Sequence, residues 1–215
     1  MPLVAIQARR ARSSTELLPE AAGPTSGTTG EPDGAPLRIG VLGESTAAGC
    51  GVDSHDDGFT GCLARELATR TGKPVGWQVV GQYGATARRI RYRLLPELNE
   101  DLNIAVLLAG ANDVLSRRTP AQWGEELSAI LDGLSTRAEH VVVSGIPPFT
   151  TFPSLPATLA GYLAGRATDL DEVSRKACAD RPQATWVNLV GLLPADPELF
   201  ARDGFHPSEI GRAHV

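Results

Sequence analysis

Four short stretches of the sequence hold the side chains that acyl transfer requires. "GEST" places Ser45 directly behind an apolar run, "GQYGATA" contains Gly84, "GANDV" contains Asn112 and Asp113, and "DGFHPS" contains Asp203 and His206. A serine hydroxyl is a weak nucleophile until a base removes its proton, and an imidazole does this near neutral pH. A carboxylate on the other ring nitrogen holds the imidazole in the right tautomer and stabilises the imidazolium. Asp203 precedes His206 by three positions, so one loop can supply both. The tetrahedral intermediate also needs donors aimed at its oxyanion. The amides of Ser45 and Gly84 and the side-chain amide of Asn112 are suited to that task. Each stretch taken alone reads as an ordinary turn. Their weight lies in occurring together, in order, each after a strand.

The elements that must position these residues follow from hydrophobic patterning. "LRIGVLG", "PVGWQVVG", "NIAVLLAG", "HVVVSGI" and "ATWVNLV" read as five strands. The third is apolar throughout, as strands covered on both faces are. Between them, "GFTGCLARELATRTG" has helical spacing with Gly72 as its stop, and "TARRIRYRLLPEL" reads as helical up to Pro96. "PAQWGEELSAILDGLSTRA" opens with Thr119 as N-cap and Pro120 at the first helical position. A long helix is expected over roughly 157–179, after the Pro-rich loop "PPFTTFPSLP". Strands alternating with helices imply a parallel sheet covered on both faces. The expectation is therefore a flavodoxin-like three-layer α/β/α sandwich with a five-stranded parallel sheet, spanning 37–215. Ligands bind such sheets at the carboxyl ends of the strands, where Ser45 lies. Residues 1–36, rich in Arg, Ser, Thr, Gly and Pro, read as an extended or partly disordered lead-in in which "ELLPE" packs locally.

"GEST", Gly84 in "YGATA", "GAND" and "DGFHPS" resemble, in order, the four blocks of the SGNH/GDSL hydrolases, and the resemblance covers about 37–211. It implies a serine esterase on a flavodoxin-like fold that requires no cofactor. By it, Ser45 corresponds to the nucleophile, Asp203 and His206 to the rest of a triad, and Gly84 and Asn112 to further oxyanion-hole donors. Glu44 stands where the family usually has Asp, a change expected to alter local support more than chemistry. The family pattern also continues as a helix beyond "HPSEIGRAHV", so this end is expected to be short.

Composition narrows the alternatives. The 215 residues are 42% hydrophobic and 21% charged, enough for one domain with a substantial core. A net charge of −5 argues against nucleic acid as a partner. No apolar run reaches membrane-spanning length, and the start has neither the order nor the length of a secretory signal, so a cytoplasmic location is expected. The expected partner is a small-molecule ester. Cys50, Cys62 and Cys178 are widely spaced and read as buried free thiols, and the scattered His55, His140, His206 and His214 give no metal pattern.

Phe149, Phe152 and Leu155 are candidates for an acyl pocket, with loop packing as the alternative. Asp113 reads as a structural turn residue. Arg88, Arg89, Arg91 and Arg93 read as a solvated helix face, with an anionic substrate as the sharper alternative. Among rival functions, a non-catalytic nucleotide- or ligand-binding α/β domain lacks the glycine-rich and Gly-Lys-Ser/Thr phosphate loops and leaves "DGFH" without a task. The α/β-hydrolase fold is disfavoured because Ser45 is followed by Thr and Ala instead of completing Gly-x-Ser-x-Gly.

Overall fold

The computed structural model describes residues 2–14, 16–31, 33–192 and 196–212. Its centre is a sheet of six strands: β1 (Ser26–Thr29), β2 (Leu37–Gly43), β3 (Val75–Gly81), β4 (Leu102–Leu108), β5 (Ala138–Ser144) and β6 (Ala184–Val187). The spatial order is β1-β3-β2-β4-β5-β6. Every pairing is parallel except that of β1 with β3, which is antiparallel. Without β1, the five parallel strands run 2-1-3-4-5 in chain order, the flavodoxin-like arrangement.

The expected five strands are thus present and a sixth joins them from the lead-in. β1 reads "SGTT", polar and short, and has no alternation of its own. Its extended form comes from pairing with β3, where Gly27 lies directly under the Trp77 indole. The lead-in also carries a helix, α1 (Pro2–Ser14), where an extended segment was expected. Val4, Ala8 and Ala11, spaced to fall on one helical face, pack against the main core.

Alternate residues of the central strand serve opposite layers, as the pleat requires. On β4, Ala105 and Leu107 belong to the larger core, and Val106 and Leu108 to the smaller. The larger core is filled by Trp123, Leu127, Ile130, Leu131 and Leu134 of α5 (Pro120–Ser135) and by Leu159, Leu163 and Leu170 of α6 (Ala157–Ala179). Phe59 and Ala64 of α2 (Phe59–Thr71) close the smaller one against Ile39, Val41, Trp77 and Val79. Thr119 caps α5 in a reciprocal capping box with Gln122.

"TARRIRYRLLPEL" forms only a short α3 (Ala87–Arg89). It passes into a π-helical turn over Ile90–Leu94 and a 3-10 turn over Leu95–Glu97. Ile90, Leu94 and Leu95 all enter the core from this irregular stretch. α4 (Ala111–Leu115) follows β4, and α7 (Glu209–Arg212) follows the histidine loop. The expected shortness of the chain end concerns residues 213–215, outside the described residues. Among the described residues no helix is long and apolar enough to cross a membrane.

Candidate active site

The 2-1-3 reversal places a crevice between the carboxyl ends of β2 and β4, and the chain delivers Ser45 and Asn112 there. Close approach of the two strand ends dictates the first residue of "GEST". Any Cβ on Gly43 would collide with the Leu108 carbonyl. Glu44 N–H then donates to that carbonyl at 3.0 Å, and bonds from Ala48 N–H to Glu44 and from Cys50 N–H to Ser45 close the turn that holds the serine.

Glu44 is buried and ties the serine turn to the start of α4. Its Oε1 accepts the Ala111 N–H at 3.1 Å, and its Oε2 accepts the Asn112 N–H at 3.0 Å and Asn112 Nδ2 at 2.7 Å. One amide hydrogen of Asn112 is thereby fixed, which leaves the second for a ligand. Burial raises the Glu44 carboxyl from its ordinary 4.5 to about 7, against the pull of those N–H donors and with a further push from Asp113. A carboxyl raised by folding contributes stability fully below 4.5 and loses it as the pH climbs to about 7. The melting temperature is therefore expected to decline over that window in the native protein. In Glu44→Gln that share of the decline should vanish, as parallel melting curves across pH would show.

Asp203 and His206 come from one loop, as their spacing predicts. Asp203 Oδ1 accepts the N–H groups of Phe205 and His206, each at 3.0 Å, and Oδ2 lies 2.6 Å from His206 Nδ1. Both residues are buried. Burial alone would raise the Asp203 carboxyl. The His206 ring and the two backbone donors outweigh it and hold the group below its ordinary range.

Ser45 and His206 line one apolar cavity of about 70 Å³. Its other walls include Phe152, Leu199, Phe200 and Phe205. Gly84 and Asn112 do not line it. Gly84 has φ +70, in the left-handed region that favours glycine, and follows Tyr83, whose ring stands 5.9 Å from that of His206.

Of the three expected pocket residues, only Phe152 is on the cavity wall. The 3-10 turn over Phe149–Thr151 sends Phe149 into the core, fully buried with its ring 5.3 Å from Phe152. Leu155 packs against the same core, partly buried. Leu199, Phe200 and Phe205 were missed, although "ELFARDGF" places them beside the histidine motif.

The remaining candidates have structural partners. Asp113 is buried, accepts the Ala87 N–H at 2.8 Å and so ties α4 to α3. Burial raises it to about 6. Arg88 and Arg91 do not form a simple solvated face, because both reach the buried Glu126, at 3.4 and 3.1 Å. Cys50 and Cys178 are buried as expected, whereas Cys62 is half-buried.

A profile of the GDSL-like lipase/acylhydrolase family matches residues 41–214. A GDSL-like esterase of Mycobacterium tuberculosis is 28% identical over 178 residues, 80% of this chain. The chain spans 57% of that relative's length. In fold it is similar to the lipase/acylhydrolase from Enterococcus faecalis, with a TM-score of 0.61 at 23% identity over 81% of this chain and 89% of that one. It is likewise similar to AlinE4, a SGNH-hydrolase family esterase, with a TM-score of 0.63 at 23% identity over 83% of this chain and 89% of the other. With residues 41–214 matched, the chain belongs to the GDSL-like lipase/acylhydrolase family, a family of serine ester hydrolases.

Proposed function

We propose that the protein is a serine esterase that hydrolyses short acyl esters through an acyl-enzyme, with Ser45, Asp203 and His206 as its triad. The observation that carries this reading is the buried Asp203–His206 pair at 2.6 Å opening onto the same cavity as Ser45. In the proposed reaction His206 Nε2 accepts the Ser45 hydroxyl proton while Oγ attacks the ester carbonyl carbon. The carbonyl electron pair moves onto oxygen, where the N–H groups of Ser45 and Gly84 and Asn112 Nδ2 receive it. Collapse of the intermediate expels the alkoxide, which takes the proton from the imidazolium and leaves as alcohol. Water, deprotonated by His206, then attacks the acyl carbon and releases the acid, returning the proton to Ser45.

The preference for short chains is argued from the cavity. At about 70 Å³, walled by aromatic rings, it suits an acyl group of few carbons and an apolar one. A series of p-nitrophenyl esters from acetate to palmitate tests this, with kcat/KM expected to fall as the chain lengthens. A maximum at palmitate would overturn the size argument while leaving the triad untouched. Labelling by a fluorophosphonate, located at Ser45 by peptide mass, tests the nucleophile itself.

Asn112 offers a separate test of the oxyanion assignment. Removing one such donor costs about 100- to 1000-fold in kcat. Asn112→Ala is expected to fall in that range with KM little changed, as initial rates on p-nitrophenyl acetate would show. A near-native kcat would mean that another group binds the oxyanion.

A further inference from the structure

The family match begins at residue 41, yet a segment well before it touches the motif loops. Residues 16–22 run as a strap against the turns that follow β2 and β3. Ala21 N–H donates to the Ala48 carbonyl and Ala22 N–H to the Asp53 carbonyl, both at 3.0 Å, so the strap is bonded to the turn that carries Ser45. Leu18, within the strap, is buried. At its start, Glu16 pairs with Arg202 at 2.9 Å, next to Asp203. Between these anchors stands Glu20, whose Oε1 accepts the N–H of Tyr83 at 2.6 Å.

That last bond acts on the turn that carries Gly84. The position that a Cβ on Gly84 would take is open, with nothing beyond the residue's own chain neighbours within 4 Å. Two longer backbone bonds also hold the turn, Gln82 N–H to the Gly43 carbonyl and Ala85 N–H to the Gln82 carbonyl, both 3.2 Å. An Arg89 bond to the Gln82 side chain adds a tie on the far side. The Glu20 contact is shorter than either backbone bond and acts on the peptide immediately before the Gly84 N–H. With a carboxylate as acceptor it is also the stronger kind of bond.

We propose that Glu20 is a positioning residue for the oxyanion hole: anchored by the strap, it fixes the Tyr83 peptide and thereby aims the Gly84 N–H. This rests on the reading of Gly84 as an oxyanion donor given above. Glu20 touches no reacting atom. It braces the Gly84 turn from a part of the chain that the family profile does not include.

The test uses the full-length protein with Glu20→Ala and Glu20→Gln. A misaimed donor costs less than a deleted one, so Glu20→Ala should lower kcat about tenfold, a fraction of the ~100- to 1000-fold lost with a whole donor. KM for p-nitrophenyl acetate should change little. Inhibition by butylboronic acid, whose tetrahedral adduct on Ser45 carries the charge that the hole receives, should weaken by the same factor as kcat. Glu20→Gln keeps an acceptor oxygen and should recover most of both losses. Unchanged kcat in Glu20→Ala, unchanged boronate affinity, or a glutamine variant no better than alanine would each overturn the proposal. Amide hydrogen exchange at Tyr83 and Gly84 reads the same contact without turnover and should quicken in Glu20→Ala. If the native protein hydrolyses no ester, the esterase reading fails, whereas unchanged exchange at these two amides would defeat the positioning by Glu20 itself.

Discussion

Replacing Ser45 with alanine is expected to abolish fluorophosphonate labelling and to lower kcat about a million-fold, the scale lost when a triad nucleophile is removed. The residue sits in a turn built by backbone bonds from Glu44, Ala48 and Cys50, none of which involves its hydroxyl. The variant should therefore fold as the native protein does, and its melting temperature should confirm this. The cavity wall keeps its shape, so substrate should still bind with loss confined to turnover. Appreciable hydrolysis by Ser45→Ala, measured with an excess of p-nitrophenyl acetate, would mean that a different group attacks the ester.

Asp203→Asn should cost about 10,000-fold in kcat, because the substitution forces the wrong tautomer on the imidazole. The local bonding explains why no escape is available. Oδ1 of Asp203 accepts two backbone N–H groups, from Phe205 and His206, so an asparagine must keep its carbonyl oxygen there. Its NH₂ then faces His206 Nδ1, which has to accept instead of donate. The ring proton moves to Nε2, the atom needed to take the Ser45 proton. The fold should be preserved at neutral pH, since both backbone bonds survive. A second difference lies in acid. The lowered Asp203 carboxyl contributes stability above its ordinary 3.8 and loses it as the pH falls below that value, so the native protein should lose this share in acid and the asparagine variant should have none to lose. A variant that kept a tenth of native activity would place the triad acid elsewhere.

Most of the architecture is legible in the sequence because it rests on local chemistry. Continuous apolar runs gave β2, β4 and β5 their places, and Thr119 with Pro120 specified the start of α5. Asp203 and His206 were legible because three positions of separation confine them to one loop, whatever surrounds it. What escaped notice depends on partners distant in sequence. β1 has no apolar alternation and becomes a strand only by lying on β3. Phe149 and Phe152 are equivalent as letters, and a single 3-10 turn sends one into the core and the other to the cavity. The α1 stripe of Val4, Ala8 and Ala11 was a usable signal, masked by the arginines around it. Glu44 could be flagged as unusual, yet its three N–H partners lie 67 and 68 positions away and no local pattern announces them.

The antiparallel pairing of β1 also bears on how the molecule behaves among its own copies. β3 is the flank of the parallel sheet, and an uncovered flank presents a row of unsatisfied N–H and C=O groups that invites strand addition from another molecule. Ser26–Thr29 occupies that row opposite Val75–Gln78, with polar, mostly exposed residues that offer little for a further strand to grip. A chain trimmed back to Leu37 would retain all four motifs and lose this cover. Its hazard would be self-association through the bared β3 backbone, a matter of solubility quite apart from whether the trimmed chain could still cleave an ester.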